Sequence, residues 1–277
     1  MSADPGPAAS GFQVVMTGPD LAPEAVSLIE AAGGRIHYMP PFPKAADLVA
    51  ILRRTGAEAL ICRQGEVTAA VMDASPHLRI VARHGVGMDE VDLAAARARS
   101  LLVTNTPGAN AEAVAEHTMA LCFALARDVA GLAAEVAAGQ WRAAGLAVRD
   151  LAGARLGLVG FGAIGQAVAR LATGMGMEVA AYRPSGPGRQ DAVAWRPLPA
   201  LLAESDIVSL HCPLTPETTR MMAAAAFARM RRGAFLVNTA RGGLVDEAAL
   251  LATLDAGHLA GAGLDVLAAE PPPYKGK

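Results

Sequence analysis

The sequence predicts an α/β protein of two domains, each with a parallel sheet covered by helices. From Phe12 onward, short apolar runs alternate with helical stretches, which is typical of strand–helix–strand units. This alternation stops at the Asn-Thr-Pro-Gly sequence of Asn105–Gly108, a turn-forming linker signal, and a second alternating series begins after Gly153. A chain of 277 residues is long enough for two domains of ordinary size.

The first domain is predicted over residues 11–106. Residues 1–10 are rich in Pro, Gly, Ala and Ser, and we expect a disordered tail there. Within the domain, the predicted elements in chain order are strand Val14–Thr17, helix Pro23–Ala32, strand Ala59–Arg63, helix Val67–Ala74, strand Arg79–Ala82 and strand Leu101–Thr104.

The second domain is predicted over residues 107–277. It begins with a long helix that has Asn110 as its N-cap and ends near Arg127. The strands predicted after it are Leu156–Val159, Glu178–Tyr182, Ile207–Leu210, Phe235–Asn238 and Gly261–Val266.

A Gly-x-Gly-x-x-Gly sequence follows the first strand of the second domain. Gly160 permits a tight turn, Gly162 lets the backbone approach a pyrophosphate, and Gly165 lets the next helix pack closely on the strand. The helix that starts at Ala163 and Ile164 presents unpaired N–H groups and a positive dipole end to phosphates. We therefore predict a dinucleotide site made by these five residues.

The end of the second strand indicates which dinucleotide is preferred. Sites selective for NAD place a carboxylate there for the ribose 2′-hydroxyl, whereas this strand ends at Tyr182 and continues with Arg183 and Ser185. A guanidinium can pair with a 2′-phosphate, and the serine hydroxyl can donate another hydrogen bond. A solvated loop arginine is the alternative. The sequence favours NADP(H), with NAD(H) possible.

Composition excludes several other classes of function. The net charge of −2 and the lack of basic runs argue against nucleic acid as a partner. No apolar run is long enough to span a membrane, and the N-terminus lacks a signal-peptide pattern. Cys62, Cys122 and Cys212 have no C-x-x-C spacing, so neither a metal site nor a disulfide framework is predicted. A reduced, cytoplasmic protein is expected.

Several separated motifs now make the chain resemble the D-isomer-specific 2-hydroxyacid dehydrogenases, a family that includes phosphoglycerate, glyoxylate and hydroxypyruvate reductases. The resemblance covers residues 12–273. Besides the glycine motif, it rests on Arg83–Asp89, Asn105–Asn110, Ala113–His117, His211–Thr218, Asn238–Glu247, Gly263–Val266 and Glu270-Pro271. It implies a flavodoxin-like substrate domain, a Rossmann cofactor domain with a doubly wound parallel sheet, and a homodimer.

The resemblance also implies which residues bind the substrate. Arg241 matches the catalytic arginine, whose planar fork can hold a carboxylate and polarise a keto oxygen. The backbone N–H groups of Val86 and Gly87 match a loop that binds the substrate carboxylate. Arg63 aligns with a position that contacts the distal substrate group in phosphoglycerate-type members. For Arg63, a solvated arginine is the ordinary alternative.

Further residues are implied at the cofactor and at the acid–base site. Asp265 is expected to meet the nicotinamide carboxamide, and Glu270 matches the catalytic glutamate. Four others match residues that line the cofactor: Cys212, Pro213, Thr239 and Ala240.

The chain departs from the family pattern after Glu270. The family's proton donor is a histidine in a downstream Pro-His-x-Gly segment, which does not occur in Pro271–Lys277. His84, beside the carboxylate loop, is the only plausible substitute. Two of the three lysines also fall in this last segment, so we expect either a truncation, with vector-derived or frame-shifted residues, or an ordinary basic tail. In the family, a C-terminal segment returns to the substrate domain, and we expect this segment to be missing from the present chain.

Two functions follow from these observations. The first is reduction of a small 2-keto acid to a 2-hydroxy acid with NADP(H), with glyoxylate or hydroxypyruvate as the expected substrate and phosphoglycerate less favoured. The second is a catalytically silent homologue that binds the dinucleotide, or a cofactor-responsive interaction module. The sequence does not identify which keto acid is used.

Overall fold

The computed structural model describes residues 11–18, 20–141, 148–186 and 193–271. The predicted tail, residues 1–10, lies outside the described residues. The described chain divides into two compact units, unit 1 up to Ala109 and unit 2 from Asn110 onward. The boundary expected at residue 106 falls shortly before this division.

Unit 1 contains a five-stranded parallel sheet in the order β2-β1-β3-β4-β5. This order is the flavodoxin-like one, as predicted. The central strands are short and mostly apolar. β1 is buried on both faces, whereas β3 and β4 are fully buried on one face only, and Val15, Leu60 and Val81 belong to the core. The elements of unit 1 are β1 (Gln13–Thr17), α1 (Pro23–Ala31), β2 (Arg35–Met39), α2 (Ala45–Thr55), β3 (Ala59–Cys62), α3 (Ala69–Met72), β4 (Ile80–Arg83), α4 (Leu93–Ala98) and β5 (Leu102–Thr104).

Unit 2 contains a six-stranded parallel sheet in the order β11-β10-β9-β6-β7-β8. Read from β8, this is the doubly wound Rossmann order, which confirms the predicted fold class. The elements of unit 2 are α5 (Ala111–Ala126), α6 (Val129–Ala137), β6 (Arg155–Val159), α7 (Ala163–Gly174), β7 (Glu178–Tyr182), β8 (Ala194–Trp195), α8 (Leu198–Glu204), β9 (Ile207–Leu210), α9 (Ala224–Phe227), β10 (Phe235–Asn238), a 3-10 helix (Gly242–Leu244), α10 (Glu247–Asp255) and β11 (Gly261–Leu264).

Several elements of unit 1 differ from the sequence prediction, and helix α4 was not predicted either. The helix expected over Val67–Ala74 extends only over Ala69–Met72, because Val67 forms a parallel bridge with Val91 instead. The sequence analysis also assigned no elements between Ala32 and Ala59, where β2 and α2 lie. β2 is a partly exposed edge strand with a mixed sequence, so it lacks the apolar run that identifies the central strands.

In unit 2 the last strand is shorter than predicted. β11 ends at Leu264 rather than Val266, because its pairing partner β10 ends at Asn238, opposite Leu264. Asp265 therefore lies just beyond the sheet. The predicted N-cap of the long helix is Asn110 as expected, although its side chain makes no capping hydrogen bond. Among the described residues, no helix is long and apolar enough to cross a membrane.

Candidate active site

The glycine turn, Gly160–Gly165, lies where the strand order of the unit 2 sheet reverses. β6 and β9 are neighbours there, and Gly160 follows β6 while His211 follows β9. Gly160 has φ +102°, and a Cβ on it would lie 2.6 Å from the His211 carbonyl oxygen. A Cβ on Gly165 would lie 2.5 Å from the Gly160 oxygen. Both positions therefore require glycine for close backbone packing, and the turn is at the edge where α/β sheets bind ligands.

Gly162 differs from the other two glycines. A Cβ placed on it would meet no atom within 4 Å, so the fold leaves open space beside this residue. Helix α7 starts immediately afterwards without a side-chain cap. Its first N–H groups, at Ala163 and Ile164, thus lack the partners that helix interiors provide. Open space beside a bare helix N-terminus is what a pyrophosphate requires, and these residues fit a dinucleotide.

Arg183 lies directly after β7 and contacts the glycine turn. Its Nη1 is 3.4 Å from the Phe161 carbonyl oxygen, and its Nε donates to the Gly186 oxygen at 2.6 Å. The guanidinium carbon lies 5.0 Å from the ring centre of Trp195, which itself packs edge-on against Phe161. Sequence reasoning missed Trp195, because β8 has only two residues and shows no strand pattern. Ser185 lies in the exposed turn that follows Arg183.

The arginine turn, Thr239–Arg241, follows β10 at the same edge of the sheet. The fully buried Asn238 holds it on both sides: its Oδ1 accepts from the Ala240 N–H at 3.0 Å, and its Nδ2 donates to the Arg241 oxygen at 2.9 Å. The Arg241 Nη1 donates to the Ala240 oxygen at 2.6 Å. Asn238 fixes the backbone from which the Arg241 side chain extends, and the sequence analysis gave it no such role.

Helix α5 approaches the ends of β10 and β11. The Thr118 hydroxyl lies 3.0 Å from the Thr239 hydroxyl, and the His117 Nε2 lies 3.3 Å from the Asp265 Oδ1. The threonine pair is buried, whereas His117 and Asp265 are each about half exposed, at 48% and 50%. The Asp265 N–H donates to the Asn238 oxygen, so Asp265 and the arginine turn share one backbone anchor.

His211 and Cys212 form the neighbouring edge, after β9. Burial lowers the pKa of His211 to about 4, so its imidazole is neutral at pH 7, and its Nε2 lies 2.9 Å from the Ser209 hydroxyl. Burial raises the pKa of the Cys212 thiol to about 11, which fits a packing role rather than a nucleophile. Pro213 accepts a hydrogen bond from the Thr218 hydroxyl at 2.7 Å.

Glu270 lies beyond β11 in unit 2. Its Oε1 accepts a hydrogen bond from the Leu267 N–H at 2.9 Å, which holds the loop that leaves Asp265. Nearby, the Glu247 side chain accepts from the Ala268 N–H at 2.7 Å. Both carboxylates thus brace the loop that follows the sheet.

In unit 1, the Gly85–Gly87 turn directs its carbonyl groups into the protein. The Gly85 oxygen accepts from the Thr106 N–H, the Val86 oxygen from the Asn105 amide, and the Gly87 oxygen from the Arg83 Nε. Within the described part of the chain, the N–H groups of Val86 and Gly87 have no hydrogen-bond acceptor. A turn with satisfied carbonyls and open N–H groups is suited to an anion.

Arg83 supports that turn from inside. Its guanidinium also donates to the carbonyl oxygens of Cys62 and Arg63, and it pairs with Glu90 at 2.8 Å. Its side chain is only 12% exposed. Arg83 thereby joins the ends of β3 and β4 to the Gly85–Gly87 turn, a role that the sequence analysis did not assign to it.

Arg63 and His84 flank the same turn. The Arg63 side chain is exposed, and its N–H donates to the Thr17 hydroxyl at 3.0 Å. Partial burial lowers the pKa of His84, and the charges of Arg63 and Arg83 lower it further. A histidine that releases its proton this readily is a poor substitute for a general acid near neutral pH.

The geometry of unit 2 defines a class of protein. A doubly wound sheet, a glycine turn at the strand reversal and an uncapped helix N-terminus define a dinucleotide-binding α/β protein. The sequence matches the family described as D-isomer specific 2-hydroxyacid dehydrogenase, NAD binding domain, over residues 119–277. The chain belongs to the D-isomer-specific 2-hydroxyacid dehydrogenase family, whose members act on small 2-hydroxy and 2-keto acids.

Curated relatives agree with this assignment. The chain is 42% identical over 207 residues to a hydroxypyruvate reductase of Thermotoga maritima, covering 75% of this chain and 68% of the relative. It is 43% identical over 219 residues to a D-3-phosphoglycerate dehydrogenase of Mycobacterium tuberculosis, covering 78% of this chain. The alignment spans only 42% of that relative's length.

Solved structures resemble the whole described fold. The crystal structure of the TT0316 protein from Thermus thermophilus has a TM-score of 0.87 and 41% identity, and covers 96% of this chain and 85% of that one. An acyclic imino acid reductase solved with NADPH and D-Arg has a TM-score of 0.84 and 26% identity, and the match covers 96% of this chain and 85% of the reductase. A formate dehydrogenase of Staphylococcus aureus solved with NAD has a TM-score of 0.83 and 27% identity, with coverage of 95% and 84%. The family therefore uses a nicotinamide dinucleotide.

Proposed function

We propose that this protein reduces a small 2-keto acid, of the glyoxylate or hydroxypyruvate type, to the D-2-hydroxy acid with NADPH. The observation that carries the proposal is that the glycine turn and Arg241 both follow strands at the same edge of the unit 2 sheet. The hydroxypyruvate reductase similarity supports the substrate class, and phosphoglycerate is less favoured.

Arg241 is assigned to the substrate. Its guanidinium would bind the carboxylate and donate to the keto oxygen, where negative charge develops during reduction. Support comes from its backbone, which Asn238 holds through two hydrogen bonds, so the side chain extends from a rigid support. In unit 1, the open N–H groups of Val86 and Gly87 are assigned to an anionic group of the substrate, and Arg63 to its distal end.

The unit 2 residues are assigned to the cofactor, which supplies a hydride when it is bound. Gly160, Gly162, Ala163, Ile164 and Gly165 would hold its pyrophosphate. Other residues would line its remaining parts: Tyr182, Cys212, Pro213, Thr239, Ala240 and Asp265.

The preference for NADPH rests on Arg183. The guanidinium lies beside the glycine turn, stacks on Trp195, and occupies the strand end where NAD-selective proteins have a carboxylate. A 2′-phosphate there would form charge-assisted hydrogen bonds with Arg183 and with the Ser185 hydroxyl. NADH would lose those bonds and bind more weakly.

Glu270 is assigned to acid–base chemistry, by partnering the group that supplies the proton. We also propose that the protein acts as a cytoplasmic homodimer. The exposed apolar side chains of α5, α6 and the residues that follow, Phe123, Val129, Val136 and Trp141, support the dimer, since such surface is suited to a partner.

The test is the oxidation of NADPH by the 277-residue chain in the presence of glyoxylate or hydroxypyruvate, with NADH measured in parallel. Keto-acid-dependent oxidation with a preference for NADPH is the expected result. Tight NADPH binding without turnover would instead favour the alternative, a silent dinucleotide-binding homologue. If neither dinucleotide binds, the assignment of the glycine turn is wrong.

A further inference from the structure

At the cofactor edge of unit 2, His117 has no role in the proposed function, although it lies beside Asp265, which is assigned to the cofactor. The His117 Nε2 lies 3.3 Å from the Asp265 Oδ1, although the two residues are far apart in the sequence. Among the described residues, this imidazole is the only hydrogen-bond or ion-pair partner of the Asp265 carboxylate. About half of the Asp265 side chain is open to solvent, so the carboxylate can still accept from a ligand.

The pair results from a regular register between α5 and β11. His117, Leu121 and Leu125 are spaced four residues apart and lie on one face of the helix. Gly261, Gly263 and Asp265 alternate on one face of the strand and its continuation.

The two glycines on that strand face let the helix approach. A Cβ on Gly263 would lie 3.2 Å from the Leu121 Cβ, and a Cβ on Gly261 would lie 3.1 Å from the Leu125 side chain. The leucines therefore lie over the glycines, and one step further along the same register His117 meets Asp265. The buried pair of Thr118 and Thr239 locks this register at the neighbouring strand.

We infer that His117 is a positioning residue that orients the Asp265 carboxylate to accept a hydrogen bond from the carboxamide of the nicotinamide. An aspartate just past the end of a strand can rotate about two side-chain bonds, and ordering such a side chain costs free energy on binding. The imidazole lies beside one carboxylate oxygen, Oδ1, and Oδ2 has no partner among the described residues. The inference rests on the proposed dinucleotide function.

The test compares two reduced dinucleotides that differ at one group. In the first the nicotinamide carries its carboxamide, and in the second a 3-acetyl group replaces it, so the N–H donor is absent while the carbonyl remains. Affinities are measured by titration calorimetry without keto acid, so turnover is not needed. The variants are His117→Leu, His117→Gln, which keeps a donor, and Asp265→Leu, which removes the acceptor.

Wild-type protein is expected to bind the carboxamide form more tightly than the acetyl form. The His117→Leu change should weaken carboxamide binding about two- to tenfold and leave acetyl binding unchanged, and His117→Gln should restore most of the difference. Asp265→Leu should remove the preference, because no acceptor is left, and adding His117→Leu to it should have no further effect. As a matched control, His77→Leu makes the same change on an exposed residue of unit 1 and should alter neither affinity.

Each contrary result has a distinct meaning. If His117→Leu weakens both forms equally or neither, while Asp265→Leu still removes the preference, the positioning role is wrong and the proposed function stands. If Asp265→Leu keeps the preference, Asp265 does not bind the carboxamide and the inference fails with it. If wild-type protein binds neither form, the proposed function itself is wrong. Thermal melting of each variant checks that it is folded.

Discussion

At the residue scale, the candidate site depends on side chains whose backbone is held by buried polar groups. Asn238 is fully buried and binds both sides of the arginine turn, and Arg83 is almost buried and binds the carbonyl group of Gly87. Buried polar groups of this kind are stable only when their hydrogen bonds are satisfied, so they tolerate little change. In both units, the residues that would touch the substrate extend from these rigid supports.

The first prediction concerns Arg241. Replacing it with glutamine removes the charge and the fork that would hold the carboxylate and the developing oxyanion. We expect kcat/KM for keto-acid reduction to fall by about 10²–10³ or more, with unchanged dinucleotide affinity. Arg229→Gln, at an exposed position of unit 2, should leave kinetics and binding unchanged. Equal kinetics for wild type and Arg241→Gln would remove Arg241 from the site.

The second prediction concerns Arg183. Replacing it with glutamine should weaken NADPH binding about tenfold or more, because charge-assisted hydrogen bonds to the 2′-phosphate are lost. NADH lacks that phosphate, so its affinity should change by less than about twofold. The control is Arg196→Gln, a nearby arginine whose Nε pairs with Glu204 at 3.1 Å. A parallel loss for both dinucleotides would mean that Arg183 acts only through its packing on Trp195.

The third prediction concerns His211 and pH. Its pKa in the folded protein is about 4 against 6.5 for the unperturbed group, so the unfolded chain binds a proton first as the pH falls. The free energy of unfolding should therefore decrease between pH 6.5 and pH 4, by up to about 3 kcal/mol from this group. Urea titrations at several pH values measure the free energy of unfolding of wild type and His211→Gln, and that of the variant should depend less on pH. An equal pH dependence for both proteins would contradict the lowered pKa of His211.

At the element scale, some glycines of the glycine turn and helix α7 are required by the fold and others by the ligand. A Cβ on Gly165 would lie 2.5 Å from the Gly160 oxygen, whereas a Cβ on Gly162, or on Gly174 at the end of the same helix, would meet no atom within 4 Å. The same Gly→Ala substitution at these three positions therefore has three different consequences. Helix propensity favours alanine at an unhindered helical position by about 0.5–1 kcal/mol.

The fourth prediction uses these glycines as a matched set. Gly165→Ala should lower the free energy of unfolding by about 1–3 kcal/mol, because a methyl group must displace the Gly160 backbone. Gly162→Ala should leave the free energy of unfolding nearly unchanged. It should weaken dinucleotide binding at least about tenfold, because the methyl group would occupy the open space where the pyrophosphate is proposed to bind. Gly174→Ala should leave binding intact. Melting curves and calorimetric titrations measure both effects, and normal binding by Gly162→Ala would refute the phosphate role.

At the scale of the whole molecule, the described chain consists of two units, each with its own parallel sheet and core. Their strand orders are those of flavodoxin-like and Rossmann folds. Each unit carries one part of the proposed chemistry: an anion-binding turn in unit 1, and a dinucleotide turn with Arg241 in unit 2. The exposed apolar side chains of α5 and α6 are not accounted for by packing within unit 2.

The fifth prediction concerns assembly. Phe123, Val129 and Val136 are between 39% and 56% exposed, and Trp141 is 76% exposed. We expect light scattering at micromolar concentration to give twice the chain mass. Replacing Val129 and Val136 with aspartate should yield a monomer, because buried carboxylates without partners oppose association. The control Leu28→Asp changes another exposed apolar residue, in unit 1, and should keep the dimer. A monomeric wild type would contradict the dimer proposal.

The amino-acid sequence by itself determined the two-sheet α/β class and the residue types of the candidate site. Strand–helix alternation and the Gly-x-Gly-x-x-Gly spacing are local patterns, so they could be recognised without coordinates. The Rossmann and flavodoxin-like strand orders, which the family resemblance implied, were confirmed. Local patterns also located Arg183 directly after β7 and Arg241 three residues after the end of β10. The edge strands β2 and β8 were missed, since β2 has a mixed sequence without an apolar run and β8 has only two residues.

Only the tertiary structure decided which distant residues support the site. His117 meets Asp265, Thr118 meets Thr239, and Arg83 joins the ends of β3 and β4 to the Gly85–Gly87 turn. The physical reason is that such contacts depend on strand order and on how closely a helix packs against a strand. Those properties come from the glycine and leucine packing between α5 and β11, and from strand pairing, rather than from the spacing of the paired residues along the chain.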